Sequence, residues 1–285
     1  MLLGRVGALC LVGAVALGGC AKTTDSEVSK ADEAVNAIDG ANLNDIMLTV
    51  ADPEEAVAYF TRATREHPDR LDLKRGLALS LLRAGRAAEA AVVYEEVVGK
   101  DEATNEDRLN LADAYIRNGE WDKAEAQLDA IPPTWETYKR YRLEAMVADS
   151  NQEWEKADAF YETAAGMTTQ PAGVYNNWGY SKLTRGDYAA AEKLFVQAIR
   201  YNPKMFTAKN NLVLARAAQG KYTLPLIRMS QTEKARLLHT MALAAIKRGD
   251  TGIARGLLEE AIDTHPQHFE EAVRTLEALN RQAGL

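Results

Sequence analysis

The stretch AGVYNNWGYSKLTRGDYAAAEKLFVQAIRYNP, residues 172–203, decides the fold of this chain. Within it Ala191 stands four residues before Phe195, and the same pairing of alanine with a large apolar residue recurs along the sequence. Ala56 precedes Phe60, Ala90 precedes Tyr94, Ala124 precedes Leu128, Ala157 precedes Tyr161 and Ala254 precedes Leu258. Successive alanines are 34, 34, 33 and 34 residues apart, then 63 across one irregular unit. A unit of this length cannot bury its apolar face alone, so the units must stack into a solenoid with an extended inner surface. Such a chain is expected to bind rather than to catalyse.

Two further sets of positions keep the same period. Gly85, Gly119, Gly186, Gly220 and Gly249 fall between the two halves of their units, where a turn often demands a positive φ. Trp121, Trp154, Tyr188 and Tyr222 follow two residues beyond that position in four consecutive units. The clearest copy carries Tyr175, Trp178, Gly179, Gly186, Asp187, Tyr188, Ala191, Phe195, Ala198 and Pro203. With that pattern the chain resembles the tetratricopeptide repeat, a 34-residue pair of antiparallel helices. The resemblance implies an all-α, right-handed superhelical solenoid of helix-turn-helix repeats from about Ala37 onward. Copies start near Ala37, Leu71, Asn105, Tyr138, Ala172, Phe206 and Ala235. Ala78, Ala112, Ala145, Gly179 and Ala242 on the first helices are expected to face the recurring alanines of the second.

Two units depart from the pattern. In the first, Asn44 holds the small-residue position and Ala51 replaces the turn glycine, as suits a capping unit. In the sixth, Pro225 forbids a normal second helix. The apolar segment 222–229 is expected to be extended, and two readings stand: a loop packed back onto the solenoid, or an exposed strip for a partner. From His268 to Ala283, Phe269, Ala272, Val273, Leu276 and Leu279 at helical spacing read as a terminal capping helix.

The start of the chain reads as an export signal. Arg5 is the positive n-region, Val6 to Leu17 is apolar, and Leu17, Gly18, Gly19 and Cys20 close it. That run resembles a bacterial lipobox, which implies cleavage before Cys20 and covalent lipid on its sulfur and amino group. More than one acyl chain is needed for a stable anchor. The expected organisation is a signal over 1–19, a polar tether over 20–36 and the solenoid over 37–285. By resemblance to Gram-negative lipoproteins, Ala21 and Lys22 imply the outer membrane, with the solenoid facing the periplasm.

With 34 basic and 41 acidic residues the net charge is -7, so no nucleic acid is expected as a ligand. No cofactor or metal beyond the lipid on Cys20 is expected. The hydrolase elbow, zinc-protease and dinucleotide motifs are missing. His67 and His265 precede prolines at the same repeat position and read as turn residues, while His265 and His268 lack a third ligand nearby.

In tetratricopeptide proteins the first helices line a groove for a peptide. Carried over, this implies Arg75, Arg83, Asn110, Asp113, Arg142, Asn176, Asn177, Tyr180, Asn210 and Asn211 as groove residues. Amides can each offer a donor and an acceptor to a peptide backbone; the alternative is that they are simply solvated. On the first reading, alanine at Asn177 and Asn211 together weakens binding without changing the melting temperature. The lipobox, the repeats and the C-terminal runs Asn210-Asn211-Leu212, Tyr222-Thr223-Leu224-Pro225 and Asp263 to Phe269 resemble the TadD family. These are repeat lipoproteins of the tight-adherence (Flp) pilus assembly machinery. The resemblance implies a pilotin-like scaffold that helps assemble or localise the outer-membrane secretin. Two alternatives remain open: a component of outer-membrane protein assembly resembling BamD, and an adaptor for periplasmic cell-wall hydrolases.

Overall fold

The computed structural model describes residues 43–282. The signal, the tether, the lipidation of Cys20 and the first residues of the solenoid as read from sequence lie outside the described residues. Among the described residues there is no strand, and no helix is long and apolar enough to cross a membrane.

The helices run in chain order as α1 (43–49), α2 (Pro53–Glu66), α3 (Leu71–Arg83), α4 (Ala87–Val98), α5 (Asn105–Asn118), α6 (Trp121–Asp129) and α7 (Tyr138–Ser150). They continue as α8 (Trp154–Gly166), α9 (Ala172–Thr184), α10 (Tyr188–Tyr201), α11 (Phe206–Ala218), α12 (Gln231–Arg248), α13 (Thr251–Thr264) and α14 (Glu270–Gln282). From α2 onward each helix packs on the next, and the first helices of neighbouring units, α3, α5, α7, α9 and α11, also touch in series. Five helices begin at the residues expected from the repeat: Leu71, Asn105, Tyr138, Ala172 and Phe206.

Local chemistry explains the boundaries. Asp52 accepts from the Glu54 amide at 2.9 Å ahead of Pro53, and Thr104 with Asp107 forms a reciprocal cap at the start of α5. Helix α6 ends early, at Asp129, and Pro132 and Pro133 follow. The Pro132 carbonyl accepts from the Trp135 amide at 2.9 Å and from Arg140 Nη1 at 2.6 Å, which anchors that connection to the next unit. All five expected turn glycines adopt a positive φ. In the fourth unit, between α7 and α8, Gln152 takes that conformation, at φ 61°.

The six recurring alanines and their large partners are all buried. Ala78, Ala112, Ala145 and Ala242 on the first helices are buried, and the space beside Gly179 is taken by the Phe195 ring. A Cβ on Gly179 would lie 2.7 Å from the Phe195 ring, so the glycine makes room for that ring. The core runs along the solenoid as successive clusters, centred on α2 to α7, then α7 to α9, then α10 and α11, then α11 to α14. Each unit therefore stabilises its neighbours, which is the logic of a repeat array.

The irregular sixth unit has α11 and no second helix. Residues 219–230 instead form an irregular, bent loop to α12, neither helix nor strand, and α12 begins at Gln231, four residues before the expected start at Ala235. Ser230 and Glu233 form a reciprocal cap there. Tyr222, Leu224 and Met229 pack on the C-terminal cluster and Ile227 on the α10–α11 cluster. The packed-back loop is the observed arrangement, with Leu226 alone fully exposed at 106%. Helix α14 covers the end of the array, burying Ala272 and Leu279 together with Phe269 just before it.

Candidate binding groove

A cavity of about 430 Å³ opens along the first helices of three adjacent units. Met146, Asp149 and Ser150 come from α7, Asn176, Asn177, Tyr180, Ser181 and Thr184 from α9, and Thr207 and Asn211 from α11. Trp121, Trp154 and Tyr161 reach it from the second helices α6 and α8. The aromatic rings and Met146 make much of the wall apolar. The amides and hydroxyls supply its polar groups, and Tyr180 stands 55% exposed.

Asp149 is held inside this wall, accepting from Ser181 Oγ at 2.6 Å and from Tyr161 Oη at 2.9 Å. Burial pushes its carboxyl above the ordinary range, against the two hydrogen bonds that favour the charge. Burial likewise pushes the Tyr161 phenol up, so it remains a donor to Asp149. Behind the wall Asp158 collects Trp178 Nε1 at 2.6 Å, Lys182 Nζ at 2.7 Å and Arg185 Nη2 at 2.6 Å. Burial pushes the Asp158 carboxyl up, but these donors outweigh it and hold it below the ordinary range. Arg185 also lies over Trp154 at 5.1 Å. The cavity wall is thus fixed by ionic links between α8 and α9.

Of the residues carried over from the family pattern, four meet in this cavity: Asn176, Asn177, Tyr180 and Asn211. The others are spread along the array and are largely engaged with the protein itself. Arg75 grips the Asp107 carboxylate with two bonds of 2.8 Å. Arg83 donates to the carbonyls of Met47 and Ala51, closing the end of the first unit. Asp113 pairs with Arg117, Asn110 accepts from Lys139, and Asn210 accepts from Thr240. Arg142 Nε is buried without a hydrogen-bond partner among the described residues. Asn210 lies in a separate cavity of about 250 Å³ beside Phe206, Arg236 and His239.

Asn177 donates only to Met146 Sδ, at 3.2 Å, a weak acceptor that a ligand can replace. Asn211 is buried and donates to Asn176 Oδ1 at 3.2 Å. Its removal therefore disturbs the α9–α11 contact, and the expectation of unchanged stability is corrected at this position. Sequence reasoning missed Met146, Asp149, Trp154 and Ser181 as cavity residues. Met146 occupies one of the groove positions but is apolar, whereas the tryptophans were noted only as markers of the repeat.

Two family profiles, both described as tetratricopeptide repeat, match this chain, one over residues 81–142 and the other over 48–107 and 176–224. The chain belongs to the tetratricopeptide-repeat family. Among solved structures it is similar to a tetratricopeptide repeat protein from Parabacteroides merdae, at 15% identity and a TM-score of 0.52, over 80% of this chain and 92% of that one. It is also similar to human IFIT1, solved as a dimer with PPP-AAAA, at 13% identity and a TM-score of 0.58, over 81% of this chain and 60% of that one. A chain of the APC/C hetero-tetramer Cut9-Hcn1 matches at 15% identity and a TM-score of 0.56, over 80% of this chain. This chain spans 46% of that one. At these identities the likeness is one of fold. A search of the curated proteins finds no match. The repeats make the chain a protein–protein interaction scaffold.

Proposed function

We propose that the scaffold holds an extended segment of a partner protein in the groove along α7, α9 and α11. The observation that carries this reading is the cavity in which Asn176 and Asn177 meet Met146, Trp121, Trp154 and Tyr180. Amides satisfy a peptide backbone while the apolar wall takes alternate side chains, a combination suited to an extended chain. No catalytic role is proposed.

The finer reading is a lipid-anchored, pilotin-like adaptor of a tight-adherence pilus secretin at the outer membrane, facing the periplasm. It is supported by the run closing at Cys20, which resembles a lipoprotein export signal, and by C-terminal runs that resemble the TadD family. A lipid on Cys20 would raise the effective concentration of a captured segment at the membrane. The test is a pull-down from detergent-solubilised outer membrane, with Asn177→Ala/Tyr180→Ala as the control variant. Both side chains are only part-buried or exposed, so the variant should melt within about 0.5 kcal/mol of the wild type. Recovery of the secretin by the wild type and its loss in the variant is the expected result. Recovery of a β-barrel assembly complex alone would replace the secretin reading; equal recovery by both proteins would remove the groove.

A further inference from the structure

A second cleft lies away from the groove, where the sixth unit lacks its second helix. Its volume is about 760 Å³, and it is lined by Asn202, Lys204, Lys209, Arg228, Ser230 and Glu233, with Pro203 and Met229 completing the wall. We propose that this cleft binds a phosphate-type oxyanion.

Lys209 is only 2% exposed. A buried ammonium is costly unless its donors are satisfied. Lys209 has three donors, and among the described residues its ammonium has a single acceptor, Glu233 Oε1 at 2.9 Å. Two donors at the cleft wall are left for another acceptor. Glu233 does not compete further, because its Oε2 accepts the backbone N–H of Ser230 at 2.8 Å. Lys204 and Arg228 flank the opening, are exposed, and form no ion pair among the described residues. Three cations face one carboxylate whose oxygens are occupied, so the cleft carries an excess positive charge in a chain of net charge -7.

The cleft exists because of the backbone. With Pro225 in it, the bent loop 219–230 forms no second helix, and its end brings Arg228 to the same cleft as Lys204 of the α10–α11 turn. An oxyanion with several acceptor oxygens can take the free donors of Lys209 together with the two flanking cations, which a single water cannot neutralise.

Isothermal titration of the full chain with inorganic phosphate tests the proposal, with glycerol 3-phosphate as the headgroup-like arm. Saturable binding of phosphate is expected, weakened about fivefold by Lys204→Ser/Arg228→Ser, since each exposed charge contributes a fraction of a kcal/mol. Lys209→Met should abolish it, and the surface pair keeps the test valid if that variant misfolds. Tighter binding of glycerol 3-phosphate than of phosphate would support the proposal with a lipid headgroup as source, and the reverse order a soluble phosphate. Absence of binding, or binding unchanged in the surface pair, would overturn it.

Discussion

At the residue scale, the turn position shows how one backbone requirement recurs and once goes unmet by the residue type. Five units place glycine there with φ between 73° and 86°. The fourth unit places Gln152 in the same left-handed region, where a Cβ crowds the following carbonyl at a cost of about 1–2 kcal/mol. Replacing Gln152 by glycine removes that strain, and the entropy glycine gains when unfolded offsets part of the benefit. Denaturant unfolding of Gln152→Gly should give a stability higher by about 0.5–1 kcal/mol; a lower midpoint would mean that Gln152 contributes contacts of its own. The periodic glycines were legible in the sequence. The exception was not, because glutamine does not advertise a left-handed turn.

At the element scale, α12 begins one turn before the start expected at Ala235. It serves as the first helix of the last pair, and its N-terminal turns adjoin the cleft left by the missing second helix. His239 on this helix sits 3.1 Å from Thr275 Oγ1 on α14 and edge-on to Phe269 at 5.4 Å. The Thr275 hydroxyl donates to the carbonyl of Glu271, so the neutral imidazole donates from Nε2. Burial lowers the His239 pKa below its ordinary 6.5, with Glu271 pulling weakly the other way. The unfolded chain therefore takes up a proton before the folded one does, and stability falls as pH drops below about 6.5. Unfolding measured at about pH 7.5 and about pH 5.5 should show this loss in the wild type and a smaller one in His239→Gln. An equal loss in both would assign the pH dependence to other groups.

At the scale of the whole molecule, the successive core clusters make stability a sum over neighbours, and the two ends are where that sum is incomplete. Helix α14 closes one end by packing on α13, with Ala272 and Leu279 joining the buried cluster of α11 to α14. A chain truncated after Pro266 should lose amide protection first in α12 and α13 and least in α3 to α5, as read by hydrogen exchange. Uniform loss along the array would mean that the solenoid unfolds as one cooperative body.

The sequence by itself determined the repeat, its register and the buried alanine pairs, because helix spacing and unit length follow from local periodicity. It also carried the amides of the groove, through the unit positions they occupy. Only the tertiary structure decided which of those residues meet. Arg75, Arg83, Asp113 and Asn110 have partners within or between neighbouring helices, and those partnerships depend on how units stack. The groove cavity and the cationic cleft arise the same way, from side chains tens of residues apart brought together by the stacking of units and by one missing helix.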